Sequence, residues 1–222
     1  MTVKPLYLLA DSQLLFRQGD ENSLSARLRA ELPESPKAAY VGASSHDQPE
    51  FYDLFRAAME VAGVRDCHAA PSQLAEQDRA FLDEASLILL GGGDPEHGWR
   101  VFEQNGLREL LLKKRYDGAV LAGVSAGAVQ LGRGALSNAA QPAVVEMFGF
   151  APFYVAAHQE EQDWWDLRAI VNMSRTEVRG IGIPFGGGAI YFPDGTLEPI
   201  EKPLIELARE DDQLKERLLL PQ

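Results

Sequence analysis

Residues 118–132 read GAVLAGVSAGAVQLG, and this stretch decides the fold. Its first seven residues are apolar or glycine, which suits a strand buried on both faces. The residues after Ser125 are small and then apolar, which suits the start of a helix. Gly123-Val124-Ser125-Ala126-Gly127 fits the pattern G-x-S-x-G at the junction. A strand that meets a helix through so tight a turn holds its central serine in a strained conformation, and the small neighbours let strand and helix approach. The hydroxyl then projects at the strand's C-terminal edge, near the positive end of the helix. The backbone N–H after the serine is free to hold a developing oxyanion. Ser125 is therefore the candidate nucleophile. The bland alternative is an ordinary strand–helix turn with Ser125 as a helix cap.

The surrounding chain supports a sheet around this strand. Residues 5–10 (PLYLLA), 38–43 (AAYVGA), 64–69 (VRDCHA) and 85–93 (ASLILLGGG) read as further strands. Helical spacing appears at 22–32, capped by Asn22 or Ser23, at 50–62 and at 99–115. Apolar strands alternating with helices predict an α/β fold with a parallel sheet covered by helices on both faces. Further on, 151–158 (APFYVAAH), 180–183 (GIGI) and 189–200 (AIYFPDGTLEPI) read as strands, the last as a hairpin around Asp194-Gly195. From Pro203 the chain is rich in charge and leucine and is expected to form a short strand or helix followed by a final helix. One domain over 1–222 is expected, since neither a linker nor a repeat interrupts the chain.

Bulk properties narrow the function classes. The 222 residues are 45% hydrophobic and 24% charged, enough for a substantial core. The formal net charge of −12 argues against nucleic-acid binding, which needs a basic surface. No apolar run approaches the roughly 20 residues of a membrane span. The N-terminus lacks the pattern of a signal peptide, so a cytoplasmic setting is expected. Cys67 is the only cysteine and forms no intrachain disulfide. No metal or cofactor signature appears.

A serine needs a base, usually histidine. Four histidines are present. His68 sits beside Cys67 in a strand and reads as packing, and His46 lies in a polar loop. His97 follows the 85–93 strand, near the strand ends where ligands gather in such sheets. His158 ends the run FYVAAH and is the only histidine after the serine. His158 is the leading candidate and His97 the alternative. The Gly91-Gly92-Gly93-Asp94 turn allows close backbone approach, so the Gly93 and Ala126 N–H groups form a candidate oxyanion hole. A phosphate loop is disfavoured, because no G-K-[ST] follows and Asp94 repels phosphate.

These motifs resemble the dipeptidase E and cyanophycinase family of serine peptidases, which share a flavodoxin-like, class I glutamine amidotransferase-like fold. LILLGGGD (87–94), AVLAGVSAGAVQLG (119–132), FGFAPFYVAAH (148–158) and GIGIPFGGGAIYFPDG (180–195) carry the resemblance. It implies Ser125 as nucleophile, His158 as base, and the Gly93 and Ala126 amides as the oxyanion hole. It also implies metal-free hydrolysis of a small aspartyl peptide, Asp-X or β-aspartyl; a monomer or homodimer is expected. Amidotransferases place cysteine at the elbow; here it is serine, so glutaminase chemistry is not supported.

Three departures stand out. Where some members carry an aspartate about 15 residues after the nucleophile, this chain has Ala140. Where others carry a glutamate, it has Pro184-Phe185-Gly186. The basic residues that usually follow the histidine give way to HQEEQDWWDLR, with Glu160 and Glu161 early. Glu146 or Asp163 are the candidates to orient His158, and Arg168, Arg175 and Arg179 the candidates to hold a substrate carboxylate. A generic esterase usually keeps its histidine near the C-terminus, and here none follows His158. The remaining rival is a weakened amidotransferase-like module that binds a small acidic metabolite.

Overall fold

In the computed structural model, residues 2–17, 23–174, 177–210 and 213–221 are described. The chain runs β1 (Leu6–Leu9), α1 (Gln13–Phe16), α2 (Leu24–Ala30), β2 (Lys37–Val41), α3 (Pro49–Val61), β3 (Asp66–Ala70), α4 (Glu76–Glu84) and β4 (Leu87–Leu90). It continues with α5 (Pro95–Asn105), α6 (Leu107–Tyr116), β5 (Val120–Val124), α7 (Ala126–Leu131), β6 (Gly134–Leu136), β7 (Val144–Glu146) and β8 (Tyr154–Ala157). The last elements are α8 (Trp165–Met173), β9 (Arg179–Ile183), β10 (Gly188–Tyr191), β11 (Leu197–Ile200), β12 (Leu204–Glu210) and β13 (Gln213–Leu219).

The expected parallel sheet is present and is extended at one edge. Its order is β11-β10-β1-β5-β4-β2-β3. The five strands from β1 to β3 in that order are parallel, and the β10–β11 hairpin adds on antiparallel. Side chains alternate between two cores, as the period of two requires. Leu6, Leu8, Ile88, Leu90 and Leu121 face the core under α5, α6 and α7, with Trp99, Phe102 and Leu131. Tyr7, Leu9, Leu87, Leu89 and Val120 face the core under α1, α2 and α3, with Leu28, Phe55 and Met59. Continuous apolar strands thus bury both faces, which is why no alternation shows in the sequence.

The second half builds a separate four-stranded sheet in the order β13-β12-β9-β8. One face, including Val155, Ile181 and Ile183, joins the core of the first sheet. The other face, including Tyr154, Ala156 and Leu207, packs on α8 through Leu167 and Ile170.

Two expectations need correction. After Pro203 the strand alternative holds for β12, but the expected final helix is a second antiparallel strand, β13, and the segment holds no helix among the described residues. Its leucines and charges are strong helix formers, but β12 is buried and pairs on both sides, and tertiary pairing overrides local propensity. Cross-strand ion pairs from Glu210 to Lys215 and Arg217 tie the hairpin. The single helix expected at 99–115 is two, separated at Gly106 in the left-handed conformation, and the first begins at Pro95 under an Asp94 cap. Ser23 caps α2, accepting from the Ala26 N–H at 3.4 Å, while Asn22 lies outside the described residues. Among the described residues, no helix is long and apolar enough to cross a membrane.

Candidate active site

The C-terminal ends of β1, β2, β4 and β5 converge on one place, where ligands bind in open parallel sheets. Ser125 sits there between β5 and α7, with φ 52° and ψ −112°. A non-glycine residue in this region is strained and needs surroundings that hold it. Two close approaches supply them. A Cβ at Gly127 would stand 2.1 Å from the Leu90 carbonyl oxygen, and one at Gly123 would stand 2.4 Å from the Gly127 carbonyl. Only glycine at both positions lets α7 lie so close to β4 and β5. The Ser125 N–H donates to the Leu9 carbonyl at 2.8 Å, and the Ser125 carbonyl accepts from Ala128 and Val129.

His158 arrives from the other sheet. It follows β8 at φ 46°, and its N–H donates to the Ile183 carbonyl of β9 at 2.8 Å. Its Nε2 lies 2.7 Å from Ser125 Oγ. The remaining histidines are elsewhere. His68 Nε2 lies 2.7 Å from Asp78 Oδ1. His97 stacks on His46 with ring centroids 4.0 Å apart, and neither lines a cavity at Ser125. The structure brings Ser125 to His158 and leaves His97 away from it.

Gly93, at φ 127°, runs so close to the turn after β2 that a Cβ there would stand 2.0 Å from the Ser44 carbonyl oxygen. The next N–H, of Asp94, donates to that carbonyl at 2.8 Å. Among the described residues, neither the Gly93 nor the Ala126 N–H has a protein acceptor. Gly93 lines both cavities that flank Ser125, and Ala126 lines one.

No carboxylate reaches His158 Nδ1 among the described residues. Asp163, with its side chain 82% exposed, pairs with Arg168 at 3.1 Å. Glu146 is the exposed end of β7, whose two valines are half-buried. Ala140 lies in an exposed loop. Two acids do converge on the Pro184–Gly187 turn, where the sequence carries no acid. Asp11 Oδ2 accepts from the Gly186 N–H at 2.5 Å, and Glu160 Oε1 accepts from the Phe185 N–H at 2.9 Å. Both brace backbone. Asp166 accepts from Gln159 Nε2 at 2.6 Å.

The expected carboxylate handles point elsewhere. Arg168 binds Asp163 and Glu216, and Arg179 binds Glu206 at 2.6 Å. Arg175 lies outside the described residues. Sequence reasoning missed Asp11, Phe51, Leu54 and Phe185, which line a cavity of about 360 Å³ beside Ser125 and His158. Asp11 had a usable signal, since it follows a buried strand at its C-terminal end. A second cavity, of about 200 Å³, is lined by Glu96, Asn138, Gln159 and Asp166 among others.

Fold and site define the class: an α/β protein with a strained serine elbow at the C-terminal edge of a parallel sheet, of the amidotransferase-like kind. The model of peptidase family S51 matches residues 6–199, and the chain belongs to that family. Peptidase E of Streptomyces coelicolor is 29% identical over 138 residues, which are 60% of this chain. The match spans 55% of that relative's own length. A solved peptidase from an acI-B1 Actinobacterium superposes with a TM-score of 0.72 at 17% identity, covering 99% of this chain and 95% of that one. A putative Peptidase E from Listeria monocytogenes gives 0.65 at 14% identity, covering 90% and 98%. At such identities the likeness concerns the fold.

Proposed function

We propose that the protein is a serine peptidase acting on small peptides, with Ser125 as nucleophile and His158 as its base. The observation that carries this is the 2.7 Å contact between Ser125 Oγ and His158 Nε2 at a strained elbow. For Nε2 to accept, the ring proton sits on Nδ1. His158 takes the Ser125 proton as Oγ attacks the scissile carbonyl carbon. The oxyanion is held by the Gly93 and Ala126 N–H groups. The C–N bond breaks, and His158 returns the proton to the leaving amine. Water then gives a proton to His158 and attacks the acyl ester, which releases the acid and restores Ser125.

The family resemblance implies an aspartyl residue at the scissile bond. Neither cavity has a lysine or arginine among its described residues to receive that carboxylate. A second reading, a weakened module that binds a small acidic metabolite, draws on the unpartnered His158 Nδ1. It meets the same want of a cation. Dipeptide hydrolysis separates the readings: turnover by the native chain that Ser125→Ala and His158→Ala each abolish supports the peptidase. Tight binding of an intact acidic ligand without turnover supports the module.

A further inference from the structure

We infer that the preferred substrate presents a bulky apolar side chain, aromatic or branched, to the 360 Å³ cavity beside Ser125. This rests on the Ser125–His158 hydrolysis proposed above and names its substrate class. The cavity walls are Leu15, Tyr40, Phe51, Leu54, Phe55 and Phe185, with Ser125 and His158 at one side. Its size is at the low end of the roughly 300–1,000 Å³ that small ligands occupy. Phe51 and Leu54, three residues apart on α3, are 40% and 45% exposed, and Phe185 is 51% exposed. Three large apolar side chains lining one cavity next to the proposed nucleophile form an exposed patch of the kind that marks a binding groove.

Charge points the same way. Asp11 is the only carboxylate on that wall among the described residues, and its field opposes an aspartyl side chain. The other cavity adds Glu96 and Asp166 and no cation among the described residues. Lys202 stands against Gly186 and Gly187 and lines neither cavity. A substrate carboxylate would lose water there with hydroxyls such as those of Ser12 and Tyr40 but no cation to offset the loss, whereas an apolar side chain gains from burial.

The test measures kcat/KM for Phe-Ala, Ala-Phe, Ala-Ala and Asp-Ala, beside fluorophosphonate labelling of Ser125. The better aromatic peptide should exceed both Ala-Ala and Asp-Ala by about tenfold or more. Phe185→Ala and Leu54→Ala should each cut the aromatic peptide more than Ala-Ala. Both side chains are largely exposed, so the variants should fold, and matched thermal melting checks this. Preference for Asp-Ala, above all one lost in Lys202→Ala, would overturn the inference. So would equal losses for both peptides. A labelled Ser125 without aromatic preference sinks the substrate class alone. An unlabelled serine with no peptide cleaved sinks the peptidase reading, and this inference with it.

Discussion

The two strand ends that meet at the site are held in opposite ways. Ser125 leaves a sheet strand buried on both faces, and its turn is fixed by backbone packed against backbone at Gly123 and Gly127. His158 leaves β8, an edge strand of the second sheet, and is exposed. One N–H to the Ile183 carbonyl and one contact to Ser125 position it, and no carboxylate braces its ring among the described residues. The proposed nucleophile is thus set by steric necessity and its proposed base by a few hydrogen bonds. The comparison teaches that an elbow can be rigidly held while the histidine facing it is only partly supported.

The largest effect should come from the rigid side. Ser125→Ala removes the attacking oxygen, and peptide turnover should fall by at least about 10³-fold with the fold unchanged. His158→Ala should fall nearly as far, since a base and its nucleophile act as a unit. A variant retaining more than a tenth of native kcat/KM would remove His158 from that role. Breaking the elbow itself comes next. Gly127→Ala drives a methyl into the Leu90 carbonyl, and urea unfolding should show a loss of about 1–3 kcal/mol or more.

Smaller effects lie away from the site. Arg27 binds Glu198 with two hydrogen bonds, at 2.6 and 2.8 Å, joining α2 to β11. Glu198→Gln should cost about 1 kcal/mol or less, because both partners are partly exposed. The Arg27 hydrogen bond holds the Glu198 carboxyl below the usual carboxylate range. A depressed carboxylate contributes stability above its unfolded value, near about 4.3, and loses it as pH falls through the folded one. The gap between native and variant should therefore close on acidification below about pH 4 in unfolding titrations. The smallest effect belongs to Cys67. Burial, then Asp66, pushes its thiol up to about 11, so it is protonated at neutral pH. Iodoacetamide at pH 7.5 should leave turnover unchanged.

The sequence was readable where structure is local. Residues 118–132 announce strand, turn and helix within fifteen positions, and β1, β2 and β4 are continuous apolar runs. His158 was reachable because it ends such a run. What failed was non-local. The strands after Pro203 exist because β12 finds β9 and β13, and nothing in LIELARE or QLKERLL states that pairing. The apolar cavity draws on separate segments around positions 11–15, 40, 51–55, 89–93, 124, 158 and 185. Phe51 and Leu54 show only helical spacing in the sequence, and the assembled fold is what leaves them open beside the serine. The contacts of the acids were hidden for the same reason: nothing in the sequence states that Asp11 and Glu160 reach the backbone of the Pro184–Gly187 turn.

The most direct test of the Ser125–His158 pair is covalent. A fluorophosphonate incubated with the native chain at neutral pH, read by intact mass and peptide mapping, should give one adduct, on Ser125. The adduct should be absent in Ser125→Ala and strongly slowed in His158→Ala. An unlabelled native chain, or an adduct that survives Ser125→Ala, would contradict the account.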